Sequence, residues 1–203
     1  MVIKGPLPLV LASTSRYRAK LLKDAGLAFE AHAPKVDERA PCFDGLAPET
    51  LSLVLARAKA AAVHRARPDA VVVGSDQVCA LADRRFDQPG TVERAIATLE
   101  ALSGRTHALF TSLVVLGPPN DILAEGEFAQ TDVTHLAMRE LDRAAIERYV
   151  ELDQPLDCAG SYKLESTGAF LFESVVSQDA SAIQGLPMRA LGRALRGFGW
   201  NLP

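Results

Sequence analysis

Apolar residues fall into short blocks, and the period inside each block changes along the chain. Leu7 to Ala12 is apolar throughout, the pattern of a strand covered on both faces. Ser13-Thr14-Ser15 supplies N-cap hydroxyls, and Leu21, Leu22 and Ala25 follow at helical spacing until Gly26, so Arg16 to Ala25 is predicted as a helix. Leu27 to Ala33 reads as a short strand, and Pro34 to Pro48, with three prolines and three carboxylates, as a long loop. Glu49 to Arg67 is the longest helical pattern, with Leu51, Val54, Leu55, Ala58 and Ala62 on one side and Pro68 closing it.

Ala70 to Val73 is predicted as a strand that meets Gly74-Ser75-Asp76-Gln77, with Val78 to Leu81 continuing beyond. A helix is expected over Thr91 to Leu102 and strands over Thr106 to Leu116 and Ile122 to Leu136, joined by Gly117-Pro118-Pro119-Asn120. Asp142 to Val150 is helical in pattern, Ala169 to Val176 strand-like, and a last helix carries Leu191, Ala194 and Leu195. Strands alternate with helices early and follow one another later, which implies an α/β protein with a mixed sheet. Without repeats or a low-complexity linker, the 203 residues are expected to form a single domain.

Composition narrows the classes. With 48% hydrophobic and 23% charged residues the chain is no disordered segment, and a net charge of −3 excludes binding nucleic acid by bulk charge. No stretch reaches the length of a membrane span. Pro6, Pro8 and the charged segment after Ser15 favour a buried strand over a signal peptide at the N-terminus. Three scattered cysteines fit neither a disulfide framework nor zinc, and free thiols fit a cytoplasmic protein.

Several groups bear chemistry. Ser13, Ser15 and Arg18 at a helix start form an anion cradle in principle, although spacing alone favours a plain cap with solvated arginines. Asp76 at the end of a buried strand is either a carboxylate with a task or a turn residue beside a positive-φ Gly74. Alternation sets Asp76 and Val78 on one face, Gln77 and Cys79 on the other. Asp37-Glu38 offers hard oxygen ligands, or solvated loop carboxylates. Lys59 is a lone charge among alanines, for which snorkelling is the ordinary explanation. Lys163 and Glu165 share a face if their segment is extended, and Cys79 reads as core filling. The four histidines stand singly, and no Walker A, G-x-G-x-x-G or G-x-S-x-G pattern occurs.

Taken in order, LASTSRYRAKLL, APKVDE, LARAKA, VVVGSDQVC, CAGSYKLE and the late GLP resemble the Maf family of nucleoside triphosphate pyrophosphatases, from about Leu7 to Leu195. GSDQVC and AGSYKLE are similar to the subgroup acting on 7-methyl-GTP. The resemblance implies an elongated, twisted mixed sheet flanked by helices, with two lobes around a deep cleft, usually as a homodimer. It implies a nucleoside triphosphate substrate, a divalent cation (Mg²⁺ or Mn²⁺), and no nucleic-acid or membrane partner. Asp76 would be the catalytic base, Glu38 and Asp76 the metal ligands, and Ser13, Arg18, Lys59 and Lys163 the phosphate contacts. Tyr17, Gln77 and Glu165 would select the base. Two features depart from the family pattern: Asp87-Gln88-Pro89 stands where Gly-Lys-Pro is usual, and Arg16-Tyr17 where Pro and Trp are common. A dTTP/UTP pyrophosphatase and a nucleotide-binding regulator of septum formation are the rival readings.

Overall fold

The alternation of patterns resolves, in a computed structural model describing residues 2–203, into seven strands and five α-helices. Strand β1 (Leu9–Leu11) leads into helix α1 (Arg16–Asp24), and β2 (Glu30–Ala31) lies parallel to β1. Helix α2 (Pro48–His64) precedes the long strand β3 (Val71–Leu81) and its short partner β4 (Arg84–Phe86). After α3 (Val92–Leu102) come β5 (Thr106–Leu116), β6 (Glu127–Met138), α4 (Arg143–Asp153), β7 (Phe172–Val176) and α5 (Met188–Gly197). The sheet order is β2-β1-β3-β5-β6-β7, with β4 also on β3. The two ladders of β1, with β2 and with β3, are parallel; the β3–β4, β3–β5, β5–β6 and β6–β7 ladders are antiparallel.

The register of β3 explains the two lobes. One edge of β3 pairs with β5 from Val72 to Ala80. The other pairs with β1 only through Val71–Val73 and with β4 only through Cys79–Leu81, leaving Gly74 to Val78 facing a gap between two strands. A separate apolar core flanks each side. Leu22 of α1, Val71, Val73, Val115 and α5 residues Leu191 and Leu195 build one; Leu99, Leu102, Leu109, Leu136, Ile146 and Tyr162 build the other.

Several sequence expectations change here. Val71 to Leu81 is one continuous strand, so Asp76 lies in its middle rather than at its end. Gly74 is not a positive-φ turn residue. A Cβ there would stand 2.3 Å from the Ala56 carbonyl oxygen and 2.7 Å from the Ala60 nitrogen, so its missing side chain lets α2 rest on the sheet. Residues 27–33 keep only Glu30–Ala31 as strand, and Thr167–Leu171 is a 3₁₀ turn before β7. Chain 122–126 is a turn stabilised by Asn120, whose Oδ1 accepts from the amides of Ile122 and Leu123. The short strand β4, polar and only three residues long, carried no period to read.

No helix among the described residues is long and apolar enough to cross a membrane, and all three cysteines are free thiols. Cys79 fills the core, and burial pushes its thiol up to about 12. Nearby His107 is 2% exposed, 2.8 Å from the Tyr162 hydroxyl, and burial pushes its imidazole from 6.5 down to about 4. The unfolded chain therefore binds a proton between these values that the native protein refuses. Stability should fall as pH drops from 6.5 to 4, by roughly 3 kcal/mol at 1.36 kcal/mol per pKa unit. Urea unfolding at stepped pH checks this: the slope in that window should flatten in His107→Gln.

Candidate active site

Helix α2 lays a stripe of small and apolar residues on the sheet, Ser52, Leu55, Ala56, Lys59, Ala60 and Val63 among them. Lys59 is therefore on the buried side of the helix, with its side chain 8% exposed; the snorkelling explanation does not hold. Its ammonium lies 2.6 Å from Asp76 Oδ1 and 2.7 Å from Glu38 Oε1, so the loop carboxylate and the strand carboxylate converge on one cation. Asp76 is as buried as Lys59, whereas Glu38 is half exposed. Burial holds the Asp76 carboxyl above its ordinary 3.8, with Lys59 and Arg18 pulling the other way.

Across the gap, the end of β1 delivers Ser13, which is 6% exposed. Its Oγ accepts from the Ser15 amide at 3.1 Å and from Arg18 Nη1 at 3.3 Å. Ser15 is the N-cap of α1, its hydroxyl accepting from the Arg18 amide. The first turn of α1 holds no acidic residue and two arginines, against the usual preference of the helix dipole. That arrangement suits a site whose negative charge comes from a ligand. Arg18 Nε donates to the Gly185 carbonyl at 2.8 Å, and the buried Ser75 hydroxyl contacts the same carbonyl at 2.8 Å. Burial lowers the Arg18 guanidinium, while Asp76 and then Glu38 favour its charge.

The two-face reading of β3 is borne out. Asp76 meets α2 on one face; Gln77, on the other, directs its Nε2 to Thr111 Oγ1 and the carbonyls of Ala182 and Ile183. Gln77 thus ties down the 3₁₀ segment Ala180–Gln184 instead of joining Asp76. Tyr17 belongs to a further group at the start of α1. Its hydroxyl accepts from Arg16 Nη2 at 2.9 Å and lies 3.3 Å from Asp157, which in turn pairs with Arg16 at 2.9 Å. The Arg16 guanidinium also covers the Tyr17 ring, 4.9 Å from its centroid.

Lys163 and Glu165 do not share an extended segment. Lys163 Nζ donates to the carbonyls of Asp153 and Gln154 at the end of α4, at 2.6 and 3.2 Å, and Glu165 is exposed on a turn. The structure thus gathers Ser13, Arg18, Glu38, Lys59 and Asp76, and leaves Gln77, Lys163 and Glu165 outside that group. It adds Ser75 and Gly185 to that group, and Asp157 to the one around Tyr17. The first two lie in the GSDQVC and GLP stretches; Asp157 had no signal, since its partner Arg16 is 141 positions away. Among the described residues no group of three or more His, Cys, Asp or Glu side chains gathers to hold a metal; the hard donors here are the pair Glu38 and Asp76.

A sequence model of the family described as Maf-like protein matches residues 8–198. The chain belongs to the Maf-like family. Among the curated Maf-like relatives, a protein of Bdellovibrio bacteriovorus named 7-methyl-GTP pyrophosphatase is 44% identical over 92% of this chain and 95% of its own length. One of the same name from Xanthomonas oryzae pv. oryzae is 45% identical over 96% of this chain and 98% of its own. Another from Aromatoleum aromaticum is 43% identical, covering 96% and 97%. The expected Maf-like architecture, a mixed sheet flanked by helices, is what the strand order displays.

Proposed function

We propose that this Maf-like chain hydrolyses 7-methyl-GTP to the monophosphate and pyrophosphate. The observation that carries the reading is the buried Asp76 held by Lys59 in the gap of β3, with the Ser13–Arg18 cradle at the start of α1. The relatives named 7-methyl-GTP pyrophosphatase support the choice of substrate.

The triphosphate lies along the gap, its oxygens taken by the N-terminal turn of α1, the Ser13 hydroxyl and the Arg18 guanidinium. Asp76 accepts a proton from the water that attacks the α-phosphorus; the bond between that phosphorus and the bridging oxygen breaks, and pyrophosphate departs. Arg18 and Lys59 offset the charge that gathers on the leaving group, so positioning and electrostatics carry most of the rate. Glu38 and Asp76, two carboxylates that converge on the Lys59 ammonium, are the hard oxygen donors that would hold Mg²⁺ or Mn²⁺. When bound, such an ion supplies further neutralisation of the phosphates. Lys163, engaged with the α4 carbonyls, takes no part in the proposed step.

Base choice follows from charge and hydrogen bonding. N7-methylation makes the purine cationic, and the Tyr17 ring already takes a cation on its face. Glu165, exposed on its turn, accepts from guanine N1–H and N2–H₂. Cation–π attraction of about 0.5–2 kcal/mol favours 7-methyl-GTP over UTP by about 2- to 30-fold, and pairing with Glu165 adds to that preference. A pyrophosphate-release screen over canonical and methylated triphosphates, with Mg²⁺ and with Mn²⁺, tests this. Tyr17→Ala should narrow the gap between 7-methyl-GTP and GTP, and Glu165→Gln should erode the preference over UTP. A wild-type preference for UTP or dTTP would replace this reading with the pyrimidine one; release from no triphosphate would favour the division regulator.

A further inference from the structure

A cavity of about 520 Å³ opens beside α5 and shares no lining residue with the Asp76 site. Its volume lies within the range of small-molecule sites, roughly 300–1,000 Å³. One wall is apolar, formed by Leu27, Met188 and Leu191. Arg189, Arg193 and Arg196 also line the cavity, spaced i, i+4, i+7 and hence on a single face of α5.

None of these three arginines is in an ion pair among the described residues. Arg189 donates to the Gln178 carbonyl, and Arg193 to the neutral amide of Gln130. Two side-chain carboxylates also border the cavity, and internal donors engage both. Asp179 accepts from Ser181 and from the Arg189 amide, and Asp132 Oδ1 accepts from Thr134 and Ser177. The cavity therefore offers an apolar wall beside three guanidinium groups with no anionic partner of their own.

We propose that this cavity is a binding site for a small amphiphilic organic anion, its acidic head paired with Arg193 and Arg196 and its hydrocarbon body on Leu27, Met188 and Leu191. The guanidinium fork suits a carboxylate or a phosphate monoester equally, so both heads belong in the test. Titration calorimetry of the intact protein with octanoate, 4-phenylbutyrate and octyl phosphate should give saturable binding for at least one of them. For that probe, the uncharged alcohol of the same body should bind at least about tenfold more weakly, as should the Arg193→Gln/Arg196→Gln double variant, because each loses the hydrogen bonds between two charged groups. Both arginines are exposed, so the variant should keep the wild-type melting temperature. Three results would overturn the assignment: no saturable heat with any of the acids, equal binding of the alcohol, or tighter binding of octylammonium. Because binding heat is read without turnover, the outcome is independent of which triphosphate the chain hydrolyses.

Discussion

Replacing Asp76 by Asn should lower kcat by about 10²–10⁴, the usual cost of losing a general base. The substitution keeps the shape that Lys59 grips but removes the proton acceptor, and the buried Lys59 ammonium keeps only Glu38 as a charged partner. A pH profile sharpens the test. Asp76 must be ionised to accept a proton, so wild-type activity rises with pH through its pKa. Burial places that pKa above the ordinary 3.8, and the acid limb should lie correspondingly high. In Asp76→Asn the residual rate should lose this limb. Turnover near the wild-type value, with circular dichroism unchanged, would remove Asp76 from the chemistry.

The second large effect should come from Arg18. Its side chain bridges the Ser13 hydroxyl and the Gly185 carbonyl, and so would fix both sides of the proposed phosphate cradle while supplying charge to it. Removing such a preorganised donor typically costs about 10²–10³ in rate, and Arg18→Ala should show a loss of that order in kcat/KM. Arg18→Lys should restore little, since one ammonium cannot reproduce the planar fork that reaches two acceptors at once. Product inhibition by pyrophosphate should weaken in parallel. An Arg18→Ala enzyme with wild-type kinetics would leave this guanidinium a structural tie alone.

Much of the fold was legible because periodic burial writes itself into the chain. Thr106 to Leu116 is a strand with the bounds read from the sequence, and α2 departs from its reading by one residue at the start and three at the end. The centre of β3 was not legible. Gly74-Ser75-Asp76-Gln77 has turn composition, yet β5 pairs with it residue by residue, and tertiary pairing overrides local preference. Lys59 shows the same limit from the other side. Its position on the inner stripe of α2 follows from period alone, but the partner that makes burial of its charge tolerable is 17 positions away. Gln77, Lys163 and Glu165 illustrate what motif order leaves out. Adjacency in a stretch does not fix which face of a strand or which turn a side chain occupies, and β3 separates Gln77 from its neighbour Asp76 by its pleat.

The interruption along one edge of β3 also has a mechanical side. Between Gly74 and Val78 that edge has no strand partner, while the β5 ladder runs unbroken past it. The lobes on either side are thus carried by a ribbon whose preferred deformation is twist. A small change of twist along β3 and β5 would move Ser13 and Arg18 relative to Lys59 and Asp76 without opening a backbone hydrogen bond of that ladder. The same ribbon would then act as a torsion spring, letting the walls of the gap tighten on the proposed triphosphate and spread again for the products.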